Sequence, residues 1–224
     1  MKFSLIALCS SALAGLTCLP AHGVEIKLYP TGPAQDSAFV RFVDGSAAGL
    51  RVTAAGSQAA LELDAGSRAS AYMPVAGNTT IKGELTQGED AQTVSVEVLP
   101  SEFVTVLGVK AKEGLQVHTI HEEADDFTAV RASIAFYDLN PSCEDAGVQV
   151  AGRQVFLFEH VEVGKWVRRQ VNPVPLSVQL VCAGQPVGQP LDLGTLQAGE
   201  RHSLFLAPGD SANDFFHVKD TVAP

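Results

Sequence analysis

The sequence predicts an all-β protein made of two tandem antiparallel β-sandwich domains of the immunoglobulin-like type. Apolar and polar residues alternate with a period of two in "SAFVRFVD", "TVSVEVL", "RASIAFYD" and "LSVQLV", as in strands that bury one face. Clusters of Gly, Pro, Asn and Asp separate these stretches at intervals of roughly 8 to 12 residues, which is typical of sandwiches. No stretch shows a sustained helical period with caps, so strands are the expected regular element.

The chain also repeats itself. Residues 24–44 and 115–138 both read as a strand, a turn and a second strand ending in Asp, with Phe42 opposite Phe136 and Asp44 opposite Asp138. Such a repeat indicates a duplicated domain. We therefore expect an N-terminal sandwich at 24–110, a short linker at 111–114, a C-terminal sandwich at 115–208 and a flexible tail at 209–224.

The first 23 residues have the pattern of an export signal. Lys2 precedes the apolar stretch "FSLIALCSSALAGLTCL", and Ala21-His22-Gly23 is a small-x-small cleavage sequence, so we expect cleavage after Gly23. Two cysteines then remain, Cys143 and Cys182, and in an oxidising compartment they are expected to form a disulfide. The alternative is two free buried thiols.

Charge and motif spacing exclude several functions. The chain carries 25 acidic and 15 basic residues, a net charge of −10, and no basic run longer than Arg168-Arg169, so we expect no nucleic-acid partner. His118 and His121 stand three positions apart on a predicted strand, where side chains at that spacing point to opposite faces. This argues against a metal site, and the sequence predicts no cofactor.

Gly209-Asp210-Ser211 and the later Asp214 and His217 resemble the nucleophile and Asp-x-x-His blocks of GDS-type esterases. Ser211 and His217 stand six residues apart on the predicted tail, and no segment between them can form an oxyanion hole. We therefore predict no catalytic residue. A second pair, Trp166 and Arg168, shares one strand face, either as a binding patch or as a cap on the core.

Residues 28–45, "LYPTGPAQDSAFVRFVDG", and 68–85, "RASAYMPVAGNTTIKGEL", resemble the alginate biosynthesis O-acetylation protein F family. The resemblance implies a periplasmic, non-catalytic adaptor that is required for O-acetylation of an exopolysaccharide. It also implies two partners, a membrane-bound O-acyltransferase and a periplasmic GDS-type acetyltransferase subunit, with the polysaccharide as a further candidate partner. Related acetylation modules serve bacterial cellulose, so alginate and cellulose both stay open. The alternatives are a pilus-type periplasmic chaperone and a polysaccharide-binding module.

A partner-binding surface is expected in the N-terminal sandwich, where the resemblance is most specific. Alternation in "SAFVRFV" puts Phe39, Arg41 and Val43 on one face, and an aromatic beside a cation is typical of interface centres. Leu28 and Tyr29 would extend this patch. The alternative is that Phe39 and Val43 are buried and that Arg41 reaches the rim.

Overall fold

In a computed structural model, residues 36–123, 130–209 and 213–223 are described, and they contain sixteen strands. The first eight are β1 Ser37–Asp44, β2 Leu50–Ala54, β3 Ala60–Leu63, β4 Met73–Ala76, β5 Thr79–Gln87, β6 Asp90–Val98, β7 Phe103–Ala111 and β8 Gly114–Glu122. The others are β9 Ala132–Asp138, β10 Ala146–Val150, β11 Phe156–Val161, β12 Trp166–Val171, β13 Pro175–Cys182, β14 Gln185–Thr195, β15 Arg201–Ala207 and β16 Asp214–Asp220. The predicted all-β fold class is confirmed.

The first eight strands form one sandwich. One sheet has the order β4-β1-β7-β8, the other has the order β3-β2-β5-β6, and the pairs are antiparallel except β1–β7, which is parallel. Alternate residues of β1, such as Val40 and Phe42, face Leu85 and other apolar residues of the second sheet. The period-two pattern therefore buries one face of each strand in a core between the sheets.

The last eight strands repeat this plan with every strand number raised by eight. Their sheets have the orders β12-β9-β15-β16 and β11-β10-β13-β14, and the pair β9–β15 is again parallel. Phe136, Val178 and Leu204 lie in the core between these sheets. The identical topology is what a tandem duplication produces.

The expected linker at 111–114 is instead the turn of a hairpin. Ala111 pairs with Gly114, and β7 and β8 pair along their length up to Phe103 and Glu122. Strand β8 therefore belongs to the N-terminal sandwich, and the chain passes to the second sandwich between Glu122 and Ala132. The boundary was misplaced because β8 alternates like a first strand, although its pairing makes it the last strand of the first repeat.

The expected flexible tail is also corrected. Within it, Asp214–Asp220 form β16, which pairs with β15 at every position from Arg201 to Ala207. Strand β16 is the counterpart of β8, and Phe216 on it is buried. Its alternation, "DFFHVKD", was discounted because it stands at the end of the chain.

Cys143 and Cys182 form a disulfide in the structure, with their Cα atoms 5.1 Å apart. The bond ties the segment after β9 to the end of β13, and Cys143 is buried. The expected signal sequence lies outside the described residues, as do Leu28 and Tyr29. No helix in the described ranges is long and apolar enough to span a membrane.

Candidate functional site

The sheet β4-β1-β7-β8 packs face to face on the sheet β12-β9-β15-β16, and we call this contact the junction. Its apolar part contains residues of both sandwiches, among them Val43, Leu107, Ile120, Tyr137 and Phe205. The described residues accordingly belong to one compact unit, Pro33–Pro224.

Arg41 lies at the centre of the junction with 1% of its surface exposed. Its guanidinium donates to Asp220 at 2.6 Å, to Ser203 at 2.9 Å and to Thr105 at 2.9 Å, and it lies 4.5 Å from the centre of the Tyr72 ring. Burial opposes the charge on Arg41, but the Asp220 carboxylate outweighs burial and raises the pKa of the guanidinium. Both side chains are therefore held as ions inside the protein.

Asp220 is held as a carboxylate by the same contacts. Burial raises its pKa, but Arg41 and Arg168 together with a hydrogen bond from Ser203 lower it below the usual value. A buried pair of this kind contributes little net stability, whereas removing one partner leaves an uncompensated charge and costs roughly 3–5 kcal/mol. The pair therefore fixes how the two sheets sit against each other.

A second ion pair crosses the junction in the opposite direction. Arg168 of β12 donates to Glu122 of β8 at 2.6 Å, and the Tyr137 hydroxyl donates to the other oxygen of Glu122. Glu122 has no exposed surface. Burial and the Glu122 carboxylate raise the pKa of Tyr137 well above its usual value, so its hydroxyl stays a donor.

The two ion pairs are related by the duplication. Glu122 pairs with Phe103 in the β7–β8 ladder, and Asp220 pairs with Arg201 at the same position of the β15–β16 ladder. Each sandwich thus supplies one carboxylate at an equivalent site, and each carboxylate binds an arginine of the other sandwich.

The chain end closes the junction further. Arg68 donates to both carboxylate oxygens of Asp214, at 3.1 and 2.7 Å, and lies 3.3 Å from the centre of the Phe216 ring. The backbone of Tyr72 donates to Thr221 at 2.7 Å and accepts from Ala223 at 2.8 Å. The C-terminal strand therefore extends from the second sandwich onto the first.

An open cleft with a volume of about 830 Å³ lies beside the junction. The β7–β8 hairpin of the first sandwich supplies Lys110, Lys112 and His118, and the floor includes Val109 and, from the second sandwich, Leu139. Burial lowers the pKa of His118, so its imidazole is neutral near pH 7. Both sandwiches must keep their relative position for the cleft to keep its shape.

A stacked histidine pair lies on the core side of β15 and β16. The Nδ1 atom of His202 is 2.8 Å from the Nε2 atom of His217, and the other nitrogen of His202 is 3.2 Å from Glu200. Burial and the neighbouring His202 lower the pKa of His217 to about 4. Burial also lowers the pKa of His202, against the Glu200 carboxylate.

The structure corrects the expected partner-binding patch. Arg41 does share a face with Val43, but that face is covered by the second sandwich, so the guanidinium is not available at the surface. Phe39 is half-buried and stacks on Phe103 with ring centres 4.7 Å apart. Alternation identified the shared face correctly but carried no information about what covers it.

The other motifs separate. His118 lines the cleft, whereas His121 contacts Glu102 at 2.8 Å. Ser211 lies outside the described residues, and His217 is held in a paired strand rather than on a tail. Trp166 lies against Tyr137 in the junction, where Arg168 binds Glu122.

Sequence reasoning missed the carboxylates of the junction, Glu122 and Asp220. A usable signal was present, because each stands on an alternating strand at a position that its neighbours two residues away mark as an inward face. For Asp220 those neighbours are Phe216 and Val218, both of which pack in the junction.

Comparisons with known proteins give limited likenesses. No family model matches the chain, and no curated protein matches it. Among solved structures, the C-terminal domain of AlgF from P. aeruginosa is 21% identical over 40% of this chain and 98% of that domain, with a TM-score of 0.34. Candidate cell adhesion proteins from Bacteroides fragilis and Bacteroides ovatus are 10% and 7% identical over 80% and 85% of this chain and 86% and 99% of their own, with TM-scores of 0.26 and 0.27. At these TM-scores the comparisons do not bear on function.

Proposed function

We propose that this protein is an exported, non-catalytic adaptor required for O-acetylation of an exopolysaccharide, and that it acts in the periplasm. Its partners would be a GDS-type acetyltransferase subunit and a membrane-bound O-acyltransferase. Alginate is the polymer that the sequence resemblance suggests first.

One observation carries the proposal. The two stretches that resemble the O-acetylation protein F family, 28–45 and 68–85, supply the N-terminal half of the junction. Arg41 comes from the first stretch, and Arg68 and Tyr72 come from the second. The residues that carry the resemblance are thus the residues that fix the two sandwiches against each other.

The same stretches contain a turn that tolerates little change. Gly77 connects β4 to β5, and its backbone N–H donates to Asp36 at 2.6 Å. A Cβ atom at Gly77 would lie 2.5 Å from that same carbonyl oxygen, so a larger residue would displace the turn. A resemblance in such positions supports a common construction of the first sandwich.

The arrangement suits a protein that binds more than one partner. Two sandwiches held at a fixed angle present surfaces whose separation is set in advance, which lowers the ordering cost of assembly. Catalysis would then be the task of the partners.

The test is deletion of the gene in its host, followed by complementation. We expect the O-acetyl content of the secreted polymer to fall to background without the gene and to return with the wild-type chain. A tagged wild-type chain should co-purify an acetyltransferase subunit from the periplasm. Normal acetylation in the deletion strain would contradict the proposal.

The pilus-type chaperone stays a second candidate because of one observation. Lys110 and Lys112 lie in a cleft between two sandwiches, and such chaperones hold a subunit's C-terminus with paired basic residues in a cleft of this kind. Pilin subunits in the same purification, with unchanged polymer acetylation, would favour it.

A further inference from the structure

The cleft beside the junction combines three kinds of surface. Its floor is apolar, with Val109 and Leu139 buried in the junction and the exposed Val163 at the side. Its rim carries two ammonium groups, on Lys110 and Lys112, both on exposed residues of the β7–β8 hairpin. Its volume, about 830 Å³, lies in the range of small-ligand sites, which span roughly 300–1,000 Å³.

Neutral hydrogen-bonding groups lie between floor and rim. Gln116 offers an exposed amide, Ser142 a hydroxyl and His118 a neutral imidazole. Among the described residues, His118 forms no side-chain hydrogen bond, so its ring nitrogens are free to meet a ligand. These groups come from both sandwiches and point to a ligand with several hydroxyl groups.

The charge of the cleft is opposite to that of the chain. The protein has a net charge of −10, yet the cleft has two lysines and, among the described residues that line it, one acidic side chain, Glu113. An anion approaching elsewhere meets net repulsion, whereas here it meets local attraction that salt would weaken. The local surplus of positive charge therefore favours an anionic ligand.

Taken together, we infer that the cleft binds an acidic oligosaccharide whose rings carry carboxylates, that is, an oligouronate. The apolar C–H faces of the rings would lie on the floor, the hydroxyls would bond Gln116, Ser142 and His118, and the carboxylates would meet the lysines. This inference rests on the proposed function, since it names the class of polymer that the adaptor would hold near the acetyltransferase.

The experiment measures binding of a fluorescent oligogalacturonate, and of oligomannuronate as competitor, to the exported protein at low and at physiological salt. We expect saturable binding that weakens as salt rises. Lys110→Glu with Lys112→Glu should weaken binding at least about tenfold. Lys82→Glu, an exposed lysine on β5 outside the cleft, is the matched control and should change affinity less than about twofold.

Equal binding of a neutral cello-oligosaccharide would overturn the inference, as would unchanged binding in the double-lysine variant with an unchanged melting curve. Preference for an acidic peptide with a free C-terminal carboxylate would overturn it in favour of a protein ligand. If no sugar binds but the acetyltransferase subunit still co-purifies and acetylation still depends on the gene, the inference fails while the proposed function stands.

Discussion

The two sandwiches share a topology but close the same corner differently. In the first, Asp44 follows β1 and is fully used, since its oxygens accept from the backbone of Ser46 and Gly49 at 2.9 Å and from the Gln87 side chain at 3.2 Å. In the second, Asp138 has the same place after β9, but one oxygen accepts from Asn140 at 3.0 Å and the other has no partner among the described residues.

The partner that is lost has been replaced by a covalent bond. Gln87 ends the first strand of a hairpin with a two-residue turn, and Cys182 ends the first strand of the equivalent hairpin. Where the first sandwich uses an amide to hold Asp44, the second uses the Cys143–Cys182 disulfide and leaves Asp138 buried with a free oxygen. Duplicated domains can thus keep a fold while exchanging a polar contact for a covalent one.

The largest expected effect comes from the junction, where the two sandwiches are alike. Arg41→Ala and Arg168→Ala should each lower the free energy of unfolding by about 3–5 kcal/mol, because each leaves a buried carboxylate without its partner. Chemical denaturation measures this. Arg51→Ala breaks an exposed ion pair with Glu62 and serves as the control, with an expected change below about 1 kcal/mol. An Arg41→Ala loss no larger than that of the control would remove the junction from the account.

The disulfide should matter next. Cys143→Ser should lower stability by about 2–4 kcal/mol, since it opens a loop with a sequence separation of 39 residues. Gln87→Ala, its counterpart in the first sandwich, should lower stability by about 1 kcal/mol through loss of one hydrogen bond. Mass spectrometry of the non-reduced protein should find the Cys143–Cys182 peptide, and two freely alkylated thiols would sink this comparison.

Asp138 should make stability depend on pH. Burial raises its pKa to about 6, against the hydrogen bond from Asn140, so the folded protein retains a proton that the unfolded chain releases near pH 4. The stabilising effect of that proton is complete below about pH 4 and is lost as pH rises to about 6, by about 2 kcal/mol. Asp138→Asn should flatten this slope. Asp44→Asn should instead lower stability at every pH in this range, because an amide oxygen cannot replace both carboxylate oxygens, and equal pH profiles for the two variants would be evidence against the comparison.

The histidine pair should act in the opposite direction, and only in the second sandwich. Because the folded pKa of His217 is lowered to about 4, its contribution to stability is present above about pH 6.5 and is lost as pH falls towards 4. We expect a loss of about 1 kcal/mol over this window, discounted for partial exposure. His217→Gln should remove it, as followed by denaturation at pH 7 and pH 4.5; a wild-type loss that persists in the variant would assign it to another group.

Alternation predicted most of the fold. It identified β1, β9 and β13, and it placed Phe42 and Val40 in a core because one strand and its period suffice for that. It could not predict that Arg41 is buried, since its partner Asp220 is 179 positions away and only the packing of two sandwiches brings them together. The boundary error at 111–114 has the same origin, because a last strand and a first strand have the same local pattern.

The measurement that tests the central claim most directly is calorimetry of the intact protein. If the junction makes the two sandwiches one unit, unfolding should give a single transition whose calorimetric and van't Hoff enthalpies agree. The double variant Arg41→Met with Arg168→Met should then resolve two transitions or broaden the single one. Two independent transitions in the wild-type protein would contradict a junction that fixes the two sandwiches against each other.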